Sequence, residues 1–291
     1  IKNFTHTIND VLSSIDSIDY SKIAQQAKKL LVRGNIKCVI SGNVNDKLSV
    51  EISDKINNMF VFDDLGITNF TNNIDESSTT IIDNENNQDE NSACKIIYVL
   101  DDIQYGVDNW ATTTCLISIL STIIHTEYFH QLRTLGKLGY IVFSHKINMN
   151  NPGTLQKKGI ALIVQSNKLS AQQLCDRSIH ALNNEIKNKL INLDSKEFIN
   201  IKLGLLSNLK TPETNIYSKI NEITNAIDNK TPSGEILFDY KTHLINALLG
   251  NNPADIISSG ITKEQIIDYF NTKFIVDPTI LSLGVQSTYK S

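Results

Sequence analysis

Phe129-His130-Gln131-Leu132-Arg133-Thr134-Leu135-Gly136-Lys137-Leu138-Gly139-Tyr140-Ile141-Val142 joins a helix that ends in an arginine to a strand that opens on a glycine and a tyrosine. On its N-terminal side, Val107 to Phe129 is apolar over most of a helical circumference, the mark of a buried helix. On its C-terminal side, Leu138 to Ile147 reads as a strand, and Ile160 to Ser166 as another. Asn151-Pro152-Gly153 between them predicts a hairpin.

Upstream, Ile8, Val11, Leu12, Ile15 and Ile18 recur at helical spacing, and Ile23, Ala24, Ala27, Leu30 and Leu31 share one face of a second helix. Gly34 supplies a left-handed cap, the β-branched run Ile36 to Ile40 predicts a strand, and Lys47 to Phe60 returns to a helical pattern. Asn69 to Ser92 is dominated by Asn, Asp, Glu, Ser and Thr, with Phe70, Ile74, Ile81 and Ile82 as its larger apolar residues. That is too little to offset the ordering entropy of so long a loop, and an Asn-rich surface insertion is expected at about 69–92. Cys94 to Leu100 is a strong strand.

Beyond the hairpin, helices are expected over Leu169 to Leu190, from an Asp194 cap to Leu209, from Thr211-Pro212 onward, over Ser233 to Leu249, and from a Thr262/Gln265 capping box to near Phe274. Thr279 to Val285 is a last strand. Few strands, two of them hairpin-linked, among many helices predict an α+β fold, a mostly antiparallel sheet with helices packed on one face. No glycine-rich phosphate loop follows a strand, which removes the usual nucleotide-binding routes.

The 291 residues, 41% hydrophobic and 20% charged, can bury a sizeable core. With 27 Lys+Arg against 31 Asp+Glu, the net charge of -4 gives no basic field to recruit nucleic acid. No apolar run approaches the roughly 20 residues of a membrane span. The chain opens at Ile1 without a charged region followed by an apolar one, which leaves the compartment open, a cytoplasmic one being the default. Cys38, Cys94, Cys115 and Cys175 form no C-x-x-C pair and are expected as buried, reduced thiols. Three Asn-x-Thr triplets, at Asn3, Asn69 and Asn229, are matched by chance in an Asn-rich chain.

His125-Thr126-Glu127-Tyr128-Phe129-His130 holds residue types that ligate zinc, but His125 and His130 lie about 140° apart around a helix, whereas H-E-x-x-H puts its histidines on one face. His6, His145, His180 and His243 have no acidic or Cys neighbours at ligand spacing. Ser144 and Ser166 have no G-x-S-x-G context, and the adjacent Asp101 and Asp102 point to opposite faces of an extended chain. Neither a metal site nor a nucleophilic triad is expected in this chain.

The opening segment strongly resembles the L-R-T-x-x-x-L-G-Y-x-V segment in the C-terminal half of the insulinase (pitrilysin-type) zinc metallopeptidases. It departs from that pattern at Leu135, Gly136 and Lys137, where the family commonly has charged residues and Gln. The similarity extends to the order of elements from about residue 31 to 291, so that residues 31–291 resemble the family's last, processing-peptidase-like domain and residues 1–30 the helical tail of the preceding one.

The resemblance implies four similar α+β domains in two halves that close like a clamshell around peptides. The zinc motif, H-x-x-E-H with a distal glutamate, belongs to the first domain, and nothing here matches it, so zinc is expected in the N-terminal half of the full-length enzyme and no cofactor in this chain. Arg133 and Tyr140 match the family's arginine and tyrosine that contact substrate and stabilise the tetrahedral intermediate. A phenol donates to a developing oxyanion, and an arginine offers a fixed fork of donors to backbone carbonyls. The partners implied are peptide substrates and the N-terminal half of the same polypeptide. The alternative is a non-catalytic peptide-binding or assembly subunit of the same fold.

Overall fold

The computed structural model of the chain describes residues 8–32, 36, 38–59, 76–149, 156–229, 231–250 and 259–289. In chain order the elements are helices α1 (Ile8–Ile15), α2 (Tyr20–Val32) and α3 (Asp46–Met59), strands β1 (Ser78–Asp83) and β2 (Ser92–Ile103), helix α4 (Trp110–Phe129), and strands β3 (Val142–Asn148) and β4 (Gln156–Ser166). Helices α5 (Ala171–His180), α6 (Lys187–Ile191), α7 (Ser195–Lys210), α8 (Ile216–Asp228), α9 (Tyr240–Leu249) and α10 (Lys263–Phe270) follow, and β5 (Thr279–Gln286) comes last. Helices α4, α5 and α10 each run on into a π-helical turn, His130–Leu135, Ala181–Ile186 and Asn271–Val276. Among the described residues no helix is long and apolar enough to cross a membrane.

Two compact units result, Ile1–Asn72 with Pro212–Asp228, and Asn73–Thr211 with Asn229–Ser291. The first holds α1, α2, α3 and α8. Its apolar residues Ile8, Val11, Leu12 and Ile15 on α1 are exposed. The strand expected over Ile36 to Ile40 is corrected: its described residues are irregular, because β-branched residues make a strand only where a neighbour supplies ladder partners and a face to pack on. Gly34, expected as a cap, lies outside the described residues.

In the second unit, five strands form one sheet in the order β1-β5-β2-β4-β3. Strands β1 and β5 run parallel, and the other neighbours are antiparallel, as the pattern predicts for a mostly antiparallel sheet. The expected hairpin is β3–β4, with Val142 opposite Val164 and Asn148 opposite Lys158; Asn151-Pro152-Gly153 lies outside the described residues. Strand β2 is central, and Tyr98 faces Ile160 on one side and Ile280 on the other. Alternation buries Cys94, Ile96 and Tyr98 on one face and leaves Lys95 and Ile97 half-buried on the other.

Helix α4 packs on β3 and β2 with one side and against α7, α9 and α10 with others, which is why its sequence is apolar nearly all round. Each fully buried side chain such as Ile119, Leu120 or Ile124 contributes about 1.5–3 kcal/mol relative to exposure. The expected caps form: Asp194 Oδ1 accepts from the Glu197 N–H at 2.7 Å, and Thr262 with Gln265 makes a capping box.

Two expectations are corrected here. Within the span expected to be an Asn-rich loop, Ser78–Asp83 is an edge strand paired with β5, exposed at all six positions. Backbone ladder bonds form whatever the side chains are, so a polar composition permits such a strand. Cys94 and Cys175, expected as reduced thiols, are joined in a disulfide across 81 residues with Cα atoms 5.7 Å apart, because the buried face of β2 meets α5 there. Cys38 is exposed, and Cys115 is a buried free thiol. Its Sγ donates to the Leu244 carbonyl oxygen, and burial pushes its pKa up to about 12.

Candidate functional site

Three local devices bring Arg133 and Tyr140 together. The π-helical turn extends α4 and buries Leu132 completely, which carries the neighbouring Arg133 to the rim of the core. The chain leaves the helix at Gly136, whose N–H donates to the Gln131 carbonyl at 2.9 Å, while the Leu138 N–H donates to the Leu132 carbonyl at 3.1 Å. Between them Lys137 takes the left-handed region at φ 50°. Gly139 then passes so close to β4 that a Cβ would collide with the Gln165 carbonyl oxygen, which is the physical reason for glycine before the tyrosine. The Ser166 hydroxyl donates to the Leu138 carbonyl and the Lys168 ammonium to the Lys137 carbonyl, tying the turn to the end of β4.

Leu138 and Val142 are buried on either side of Tyr140, which itself is 82% exposed. The guanidinium carbon of Arg133 lies 4.4 Å from the Tyr140 ring centroid and 4.9 Å from that of Phe129. Contact with two ring faces restrains the guanidinium without consuming its N–H donors, so less ordering is lost when it grips a carbonyl or carboxylate. A phenol hydroxyl and a five-donor fork thus share one exposed rim, ahead of the β3 edge of the sheet.

The other candidates disperse. His125 Nδ1 lies 2.9 Å from the Ser144 carbonyl oxygen, the Glu127 carboxylate accepts from Gln131 Nε2 at 2.6 Å, and His130 is exposed. Among the described residues no group of three or more His, Cys, Asp or Glu is placed to hold a metal ion. The expectation that His180 and His243 lack acidic neighbours is corrected: His180 Nδ1 is 3.4 Å from Glu185, and His243 Nε2 is 3.5 Å from Asp239, one turn back on its own helix. The spacing of His243 and Asp239 was readable; that of His180 and Glu185 depends on the π-helical turn between them. His6 lies outside the described residues. Asp101 accepts from the Tyr269 hydroxyl at 2.7 Å and pairs with Lys273 at 2.5 Å, whereas Asp102 faces Lys157 at 3.9 Å, so the two carboxylates serve different partners. Burial, then the Asp101 charge, raises the Tyr269 pKa.

Residues 119–224, which include both site residues, match the family of the PQQ synthase PqqF-like C-terminal lobe, domain 4. Over that stretch the chain is similar to a PqqF-like C-terminal-lobe domain. It is 23% identical over 190 residues to a nardilysin-like protein of Arabidopsis thaliana, an alignment covering 65% of this chain and 16% of that one. All of this chain superposes on 28% of pitrilysin with a TM-score of 0.68 at 16% identity. The periplasmic protease PqqL from Escherichia coli matches 84% of this chain and 24% of its own length, with a TM-score of 0.55 at 11% identity. The chain therefore spans between 16% and 28% of the length of these relatives.

Proposed function

We propose that this chain is the C-terminal, non-zinc-binding portion of an insulinase-like metalloendopeptidase, with residues 31–291 as its last domain. Its role is to present Arg133 and Tyr140 to a peptide held against a zinc centre in the N-terminal half of the same polypeptide. The observation that carries the reading is Arg133 held over the ring of an 82% exposed Tyr140, on a turn whose glycine is sterically required. A buried structural tyrosine needs none of these. In this reading the Tyr140 hydroxyl donates to the oxyanion that forms at the scissile carbonyl, and Arg133 holds neighbouring backbone carbonyls.

In the full polypeptide, Tyr140→Phe removes one donor while keeping the ring over Arg133, and kcat should fall roughly 10²-fold with KM moving less. Arg133→Ala removes contacts made partly to bound substrate and should raise KM as well as lower kcat. Unchanged kcat for Tyr140→Phe on several peptides, or a polypeptide without H-x-x-E-H upstream of this chain, favours the non-catalytic peptide-binding or assembly subunit instead.

A further inference from the structure

A second cluster of chemistry lies beside α4, on the helix-facing side of the β3–β4 hairpin, with Lys146 exposed and Lys158 half-buried. Lys146 on β3 and Lys158 on β4 are diagonal neighbours on one face, since Lys146 pairs with Ile160 and Asn148 with Lys158. Diagonal positions stand only about 7–8 Å apart. Both line a cavity of about 290 Å³. Among their contacts, Lys146 Nζ donates to Ser118 Oγ and Lys158 Nζ to Asn148 Oδ1, both at 3.0 Å. The buried Ile103 and Ile117 form its apolar wall.

We propose that this cavity binds a small aliphatic carboxylate, its oxygens between the Lys146 and Lys158 ammoniums and its hydrocarbon on Ile103 and Ile117. Two like charges held together beside a half-buried cavity are stabilised by an anion placed between them. A bare ion does not fill the space: water occupies about 30 Å³ in the liquid, so 290 Å³ admits a carboxylate with a chain of several carbons. Burial, then the charge of Lys146, lowers the Lys158 pKa to about 8, the cost an anion would relieve. Because the ligand needs the charged amine, affinity should fall as pH rises through about 8.

The test titrates the 291-residue chain with hexanoate, following the lysine ε-carbon resonances by NMR. Expected are saturable binding, an upward shift of the Lys158 titration in the complex, and a loss of affinity of roughly tenfold or more in Lys158→Met and in Lys146→Met. Both variants should keep the thermal midpoint, which shows that the chain still folds. Short acetylated peptides ending in leucine, with free or amidated C-termini, identify the source of the carboxylate. Tighter binding of the free-acid peptide than of hexanoate assigns the site to peptide C-termini, and the reverse assigns it to free acids. Hexanoate binding no tighter than inorganic phosphate, or binding unaffected by Lys158→Met, would overturn the proposal.

Discussion

The two edges of the sheet are built in opposite ways. Strand β3 is one arm of a hairpin, its side chains alternate between buried and more exposed from Val142 to His145, and it follows the turn that carries Arg133 and Tyr140. Strand β1 pairs in parallel with β5, the Ile280 N–H donates to a serine hydroxyl 203 residues away in sequence just before β1, and all six β1 residues are exposed. Alternation in sequence records a difference in burial between two faces. An edge whose residues are exposed at every position leaves no such record.

The largest effect should come from between these edges. The Cys94–Cys175 bridge closes a loop of 81 residues from the central strand to α5, and such a cross-link stabilises by about 4 kcal/mol through the unfolded chain. Replacing both cysteines by serine should lower the denaturant midpoint accordingly while lowering protection at β3 and β1 alike, since the loss is global. Alkylation without reductant that labels Cys94 in the folded chain would show the bridge absent.

A smaller effect separates the edges. Replacing Thr79 to Ile82 by Gly/Ser removes the half-exposed Ile81 and Ile82, each about half of a 1.5–3 kcal/mol burial, and should cost about 2 kcal/mol. Ile81 packs on Gly284, where a Cβ would meet it at 3.1 Å, so β1 touches β5 by side chain as well as by ladder. A stability unchanged by the replacement would return the segment to a loop. Hydrogen exchange should also rise along β5 and stay unchanged in β3.

How much of this was legible follows the same division. Helix α4, the hairpin and the Asp194 and Thr262 caps rest on signals within a few residues, and each formed. The disulfide joins residues 81 apart, and nothing in either local sequence selects Cys175 over Cys115 as the partner of Cys94. The π-helical turns widen a helix by one residue, a change too small for a periodicity of 3.6 to register, yet one of them carries Arg133. The motif placed Arg133 and Tyr140 near each other in sequence; Phe129, four residues before Arg133, supplies the second ring and needed only helical spacing to be found. Lys146 and Lys158 become neighbours only once the hairpin register is set.

The smallest effect concerns protonation at the β3 edge. His145 stacks on Phe143 at 5.7 Å between ring centroids, and its buried Nδ1 has no hydrogen-bond partner. Burial, then the charge of Lys95, holds its pKa below the ordinary 6.5. With the folded value depressed, the neutral ring is common to both states above pH 6.5. As the pH falls below that, the unfolded chain takes up the proton more readily than the folded one, and this contribution to stability is lost. Between pH 7 and pH 5 the protection of β3 amides should therefore decline relative to β1 amides, after correction for intrinsic exchange. His145→Gln should flatten the ratio, since glutamine carries no proton to gain. A wild-type ratio independent of pH would mean that His145 reaches solvent freely and that acid does not distinguish the two edges.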